Sequence, residues 1–265
     1  MTKRQEEVIK ICKEPKLAKP CLIAAWPGIG NVALGAASYL KEKLRGKEFA
    51  EIEPLPFFEP NGVLIEDNII QHLKFPQSKF YYWKSKERGN ELIIFIGEAQ
   101  PTSRAYEFAN RVLDLAQRFG VRQIYTFAAA LIPHFSEKPR VWAAATDIEL
   151  LRELEGYGLV LKNDFYVAGM NGLLLSVAKE RNMKGICLLG ETPRYLGEMG
   201  NPAASQAILE ILNRILRIEI DMTELEDLGR QAYKEIDKMI NEGRREFIDR
   251  FTVPLWERHE EEERG

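Results

Sequence analysis

The chain of 265 residues carries 37 Lys and Arg against 40 Asp and Glu, a formal net charge of −3. That balance gives no electrostatic case for nucleic acid or an anionic membrane surface, and neither is expected as a partner. No apolar run approaches the roughly 18 residues of a membrane span, and the polar amphipathic stretch at 1–14 lacks a signal-peptide core, so a cytoplasmic protein is predicted.

Residues 1–220 read as one α/β domain, 221–253 as a helical extension and 254–265 as an acidic, disordered tail. Cys12, Cys21 and Cys187 are odd in number and widely spaced, which predicts reduced thiols that pack and neither a disulfide framework nor a zinc site. The first apolar run, 20–25, has the character of a buried strand. It breaks at Pro27-Gly28, passes Gly28 and Gly30, and continues from Asn31 into a helix over 31–44. Such a turn aims backbone N–H groups and the positive end of a helix dipole above the strand, which suits a phosphate or carboxylate. The same glycines can instead serve only to close the helix against the sheet, and Gly-x-Gly is less than a dinucleotide fingerprint.

Further strands are predicted over 49–53, 62–66, 68–72, 79–84, 91–97, 123–130 and 185–190, and further helices over 103–119, 148–155, 172–181 and 202–216. The alternation argues an α/β fold with a mostly parallel sheet covered on both faces. Between 49 and 84 several short runs separated by Pro54, Pro56, Pro60 and Pro76 point to hairpins or an antiparallel extension. The aromatic run Phe80-Tyr81-Tyr82-Trp83 is either a strand with both faces covered or an aromatic edge used in subunit association. From Met222 to Phe251 apolar residues recur at helical intervals, giving an amphipathic helix or helical hairpin with Gly229 and Gly243 as weak points. Its stripe is covered by its own domain or by a partner.

In open parallel sheets ligands lie beyond the carboxyl ends of the strands. Gly97-Glu98 and Gly190-Glu191 both close apolar strands, which places Glu98, Glu191 and the glycine turn on one edge, with Asn171 capping a helix or facing the same edge. Two carboxylates there can bind sugar hydroxyls, act as acid and base, or hold a cation. Each can equally pair with a following arginine, Arg104 or Arg194, or cap a helix. The three histidines, His72, His134 and His259, lack ligand spacing, so no metal is expected. Ser38 and Ser176 fall inside helices and Ser103 reads as an N-cap, so no nucleophile triad assembles and an enzyme is not the leading reading. The candidate ligand-binding set is Gly28, Gly30, Asn31, Glu98, Asn171 and Glu191, with no cofactor.

Five motifs occur in a fixed order: Trp26-Pro27-Gly28-Ile29-Gly30-Asn31-Val32, Gly97-Glu98-Ala99-Gln100-Pro101, Gly169-Met170-Asn171-Gly172-Leu173-Leu174, Leu188-Leu189-Gly190-Glu191-Thr192-Pro193-Arg194-Tyr195 and Asn201-Pro202-Ala203-Ala204. Over residues 20–217 this order resembles the proteasome assembly chaperone 2 family. The resemblance implies a three-layer α/β/α, purine-nucleoside-phosphorylase-like fold and a chaperone-like homo-oligomer acting by protein–protein contacts, with proteasome α-subunits as candidate partners. Proteasome-binding archaeal members resemble activators in closing with a hydrophobic residue, a tyrosine and one more residue; Glu263-Arg264-Gly265 departs from that pattern, which speaks against docking through it. The phosphorylase-type fold supplies the competing function, a binder or enzyme for a phosphate- or ribose-containing ligand held by Gly28, Gly30 and Glu191, although the Arg and His constellation such sites use is missing.

Overall fold

A computed structural model describes residues 8–60, 62–85, 89–161, 164–197 and 199–252, with side chains described as far as 242. The acidic tail and His259 lie outside these residues. In chain order the elements are β1 (Ile9–Ile11), β2 (Cys21–Ala25), α1 (Val32–Lys43), β3 (Lys47–Ile52), β4 (Ile65–Glu66), β5 (Ile69–Ile70), β6 (Ser78–Lys84) and β7 (Glu91–Gly97). There follow α2 (Ala105–Arg118), β8 (Gln123–Ile132), β9 (Val141–Ala145), α3 (Ile148–Glu153), α4 (Met170–Glu180), β10 (Gly185–Pro193), α5 (Pro202–Leu216) and α6 (Thr223–Thr252).

Eight strands form one sheet in the order β1-β3-β6-β7-β2-β8-β10-β9. Its centre, β7-β2-β8-β10, is parallel, while β6, β3, β1 and β9 join through antiparallel pairs. Because side chains alternate across a strand, β2 splits its apolar run between two cores. Ile23 and Ala25 meet α1, α3 and α5, whereas Leu22, Ala24 and Trp26 meet α2 and α4. Helices thus cover both faces, and the three-layer α/β/α expectation holds.

Several local expectations change. Two strands were not foreseen: β1, inside the polar N-terminal stretch, pairs with the edge of β3, and β9 is a run of small residues with weak strand character. Strand β10 runs on to Pro193, so Glu191 lies within it rather than beyond it, opposite Ala130. The runs at 62–66 and 68–72 shrink to the hairpin β4–β5, which pairs with no other strand among the described residues. Asp67 and Asn68 supply its turn with φ of 52° and 63°, a region short polar side chains tolerate.

The aromatic strand β6 is paired on both sides, with β3 and β7, so it offers no open edge for association. Phe80 is fully buried against Phe49 and Phe95. Ser103 is not an N-cap: its amide and that of Thr102 donate to the Phe57 carbonyl, and α2 starts after Arg104 in the left-handed region. The C-terminal stripe forms a single helix through Gly229 and Gly243. Its first half packs on its own domain. Leu225 joins the core with α1 and α5, and a Cβ on Gly229 would lie 3.5 Å from Ala203, so the glycine sets how near α6 comes to α5. No described helix is long and apolar enough to cross a membrane.

Candidate functional site

At the carboxyl end of β2 the chain turns through Trp26-Pro27-Gly28 into a short 3-10 turn, Ile29–Asn31, and then α1. The two glycines of this turn do different work. Gly30 has φ 64°, and a Cβ there would lie 2.8 Å from Thr192 Cγ2 and 3.2 Å from Asn201 Cβ. Gly28 is extended, at φ −169°, and an added Cβ would meet only Asn171 Nδ2, at 4.0 Å. The Gly30 amide donates to the Gly197 carbonyl at 2.7 Å and the Asn31 amide to the Gly28 carbonyl at 2.8 Å. Two N–H groups of the expected anion cradle are therefore already engaged within the chain.

Asn171 does not cap α4; Gly169 holds the N-cap position, at φ 74°. Instead the Asn171 amide reads the backbone of Trp26 in both directions. Its Oδ1 accepts from the Trp26 N–H at 3.1 Å and its Nδ2 donates to the Trp26 carbonyl at 3.2 Å. These are the two groups a neighbouring strand would pair, so the side chain replaces one ladder step where the sheet ends. Gln100 repeats the device one strand over: Nε2 donates to the Pro27 carbonyl at 2.7 Å and Oε1 accepts from the Met170 amide at 2.9 Å. Asn201 closes the third side, with its amide donating to the Gly30 carbonyl at 2.7 Å and its Nδ2 to Thr192 Oγ1 at 3.1 Å. Its Oδ1 accepts from the Ala204 amide at 3.2 Å, capping α5.

The two carboxylates are not brought together. Strands β7 and β10 stand three positions apart in the sheet, roughly 14 Å at ~4.8 Å per strand. Glu98 is exposed, and its Oε2 accepts from the Gln77 amide at 2.9 Å, which extends the pairing of β6 and β7. Glu191 is buried, and neither Arg104 nor Arg194 reaches it. Its partners come from the segment entering β9: Arg140 donates through Nε at 2.9 Å, a terminal guanidinium nitrogen at 2.7 Å and its backbone amide at 3.1 Å, and Trp142 donates through Nε1 at 3.0 Å. Burial pushes the Glu191 carboxyl up, but the donors from Arg140 and Trp142 outweigh it and hold the group below the ordinary carboxylate value. An acid catalyst needs the opposite shift.

The repeated Gly-Glu pair has a packing origin. A Cβ on Gly97 would fall 2.4 Å from Trp26 Nε1, and one on Gly190 would fall 2.8 Å from Ala204. Each glycine lets a neighbour lie flat on the strand end. Two of the three thiols pack as expected, since burial pushes Cys187 up to about 12 and raises Cys21 against the opposing pull of Arg122; Cys12 does not pack and is exposed. His134 stands beyond β8, where it lines a cleft of about 410 Å³ with Phe135, Tyr195, Tyr233 and Asp237 under α6.

Sequence reasoning missed Gln100, Asn201 and Arg140. Gln100 and Asn201 lie inside motifs already singled out, so a signal for them was present; Arg140 had none.

The PAC2 family model matches residues 22–240. The chain is 33% identical to PbaB of Pyrococcus furiosus, an archaeal proteasome activator, whose structure aligns with a TM-score of 0.74 over 87% of this chain and 97% of that one. PbaA of the same organism, an archaeal homolog of proteasome-assembly chaperone, aligns at 24% identity and a TM-score of 0.67 over 89% and 99%. An uncharacterized protein of Methanocaldococcus jannaschii, MJ1210, is 30% identical over 84% of both chains.

Proposed function

We propose that this chain, which belongs to the PAC2 family, is a chaperone-like protein that works by protein–protein contacts. It is a cytoplasmic homo-oligomer in this reading, and the α-subunits of the proteasome are its partner. The observation that carries the proposal is that the polar side chains at the strand-end edge are engaged within the chain. Glu191 is held by Arg140 and Trp142, Asn171 by Trp26, and Asn201 by Thr192 and the start of α5, so the residues best suited to chemistry are occupied in holding the frame. In this reading Gly28, Gly30, Asn31, Glu98, Asn171 and Glu191 shape the strand-end rim and bind no ligand.

Likeness to a proteasome activator at 33% identity supports the choice of partner. The test is co-purification of the full chain with recombinant proteasome α-subunits at micromolar concentration. A complex that survives gel filtration is expected. A chain that elutes alone, together with stabilisation by nucleosides or inorganic phosphate in a melting assay, would overturn the proposal in favour of a ligand site at the same edge.

A further inference from the structure

The cleft under the second half of α6 has a volume of about 410 Å³, within the range of small-molecule sites, and is closed on its other side by the segments that follow β8 and β10. Ile236, buried at 3% exposure, forms its floor together with Ile240. Phe135, Tyr195 and Tyr233 stand around it, three of its eight lining residues, whereas Phe, Trp and Tyr make up 10% of the chain, so the cleft is aromatic beyond the average composition. The rings of Phe135 and Tyr233 lie 5.6 Å apart between centroids, at an interplanar angle of 36°, and form one continuous wall. With histidine counted as neutral, the single formal charge in the lining is negative: Asp237 is present and neither Lys nor Arg is. Asp237 Oδ2 accepts from Asn241 Nδ2 at 3.1 Å, one turn further along α6, which orients the carboxylate and leaves Oδ1 without a partner among the described residues.

We infer that this cleft binds an organic cation, an alkylguanidinium or alkylammonium group. The inference is independent of the partner proposed above. Other ligand classes fit the lining less well. A phosphate or carboxylate meets the Asp237 charge and finds no Lys or Arg in the lining to hold it. A metal ion lacks donors, since no group of three His, Cys, Asp or Glu side chains able to hold one occurs among the described residues. A wholly apolar molecule would take water from the carboxylate and offer no hydrogen bond in return. A cation gains from every part of the lining. Its N–H groups can donate to Asp237 Oδ1 and to the imidazole of neutral His134, the ring faces attract its charge, and its alkyl stem covers Ile236 and Ile240. A planar guanidinium can in addition stack along the wall of Phe135 and Tyr233. The same chemistry is carried by a free amine or guanidine and by a Lys or Arg side chain of another protein.

The experiment is isothermal titration calorimetry of the full chain with n-butylguanidinium and with n-butylurea, a probe of nearly the same shape without the charge. Saturable binding of n-butylguanidinium is expected at about 1 mM or below, with n-butylurea weaker by about 10-fold or more. Asp237→Asn keeps an acceptor for Asn241 and removes only the charge; it should weaken n-butylguanidinium by about 10-fold. Tyr195→Leu changes a side chain that is 53% exposed, so the fold should survive, and the loss of one ring face should weaken binding by about 3-fold. Both variants should keep the parental far-UV spectrum. Equal affinity for the charged and neutral probes overturns the inference, as does the absence of saturation up to about 10 mM. So does an Asp237→Asn protein that binds as tightly as the parent, because the 40 Asp and Glu of the chain attract cations without this cleft. N-acetyl-arginine methylamide separates the two sources. Tighter binding than n-butylguanidinium supports the site as a receptor for a side chain of another protein, and weaker binding supports it as a receptor for a free cation.

Discussion

Gly28 and Gly30 look interchangeable in the sequence, yet the geometry assigns them opposite sensitivities, and alanine substitution separates them. At Gly30 the new Cβ must accept φ 64° and a position 2.8 Å from Thr192 Cγ2. The neighbours cannot withdraw. Thr192 Oγ1 donates to the Gly190 carbonyl and accepts from Asn201, whose amide in turn holds the Gly30 carbonyl. The left-handed backbone costs about 1–2 kcal/mol and the overpacking about 1–3 kcal/mol, so Gly30→Ala should destabilise by about 2–5 kcal/mol. At Gly28 the backbone is extended and the nearest atom is 4.0 Å from the new Cβ, so Gly28→Ala should stay within about 1 kcal/mol of the parent. Urea denaturation followed by circular dichroism measures both. Equal losses in the two variants, or a Gly30→Ala protein as stable as the parent, would refute the account of how this turn is held.

Replacing Asn171 by Leu removes both partners of a buried backbone pair at Trp26 and should cost about 2–5 kcal/mol, read from the same denaturation curves; a loss below about 1 kcal/mol would mean the two hydrogen bonds contribute nothing net. The lowered carboxyl of Glu191 makes stability pH-dependent with a definite sign. Its contribution is fully present above the ordinary carboxylate value near pH 4.3 and is lost as pH falls through the lower folded value. The stability gap between parent and Glu191→Gln should therefore be widest near neutral pH and close on acidification, and a gap that widens toward acid would contradict the ion pair with Arg140. In the folded chain a thiol reagent should titrate Cys12 alone, with Cys21 and Cys187 appearing only in denaturant; rapid native reaction of a second thiol would contradict their burial.

The parts legible in the sequence are those whose signal is local. The run into Trp26, the break at Pro27-Gly28 and the helix after Asn31 can be read from adjacent residues, and the alternation of strands and helices leads to the three layers. What was hidden depends on residues far apart. Arg140 and Glu191 meet only because β9 folds back antiparallel to β10, and the run Val-Trp-Ala-Ala-Ala that makes β9 has too little β-branched character to announce a strand. Proximity in sequence suggested Arg104 and Arg194 instead; Arg104 pairs with Glu107, three residues on along its own helix. Asn171 was picked out as a polar residue in a glycine-flanked turn, but its task, pairing with the backbone of a strand 145 residues away, is set by the order β2-β8-β10 and the packing of α4. The Gly-Glu repeat invited a chemical reading, and its cause is two close approaches, of Trp26 on Gly97 and of Ala204 on Gly190.

In the function proposed above, the chain works through contacts with proteasome α-subunits. Native mass spectrometry of the full chain mixed with those subunits tests it most directly. A complex of defined stoichiometry at micromolar concentration, containing more than one copy of this chain, is expected. Spectra that show only the separate components across that concentration range would contradict it.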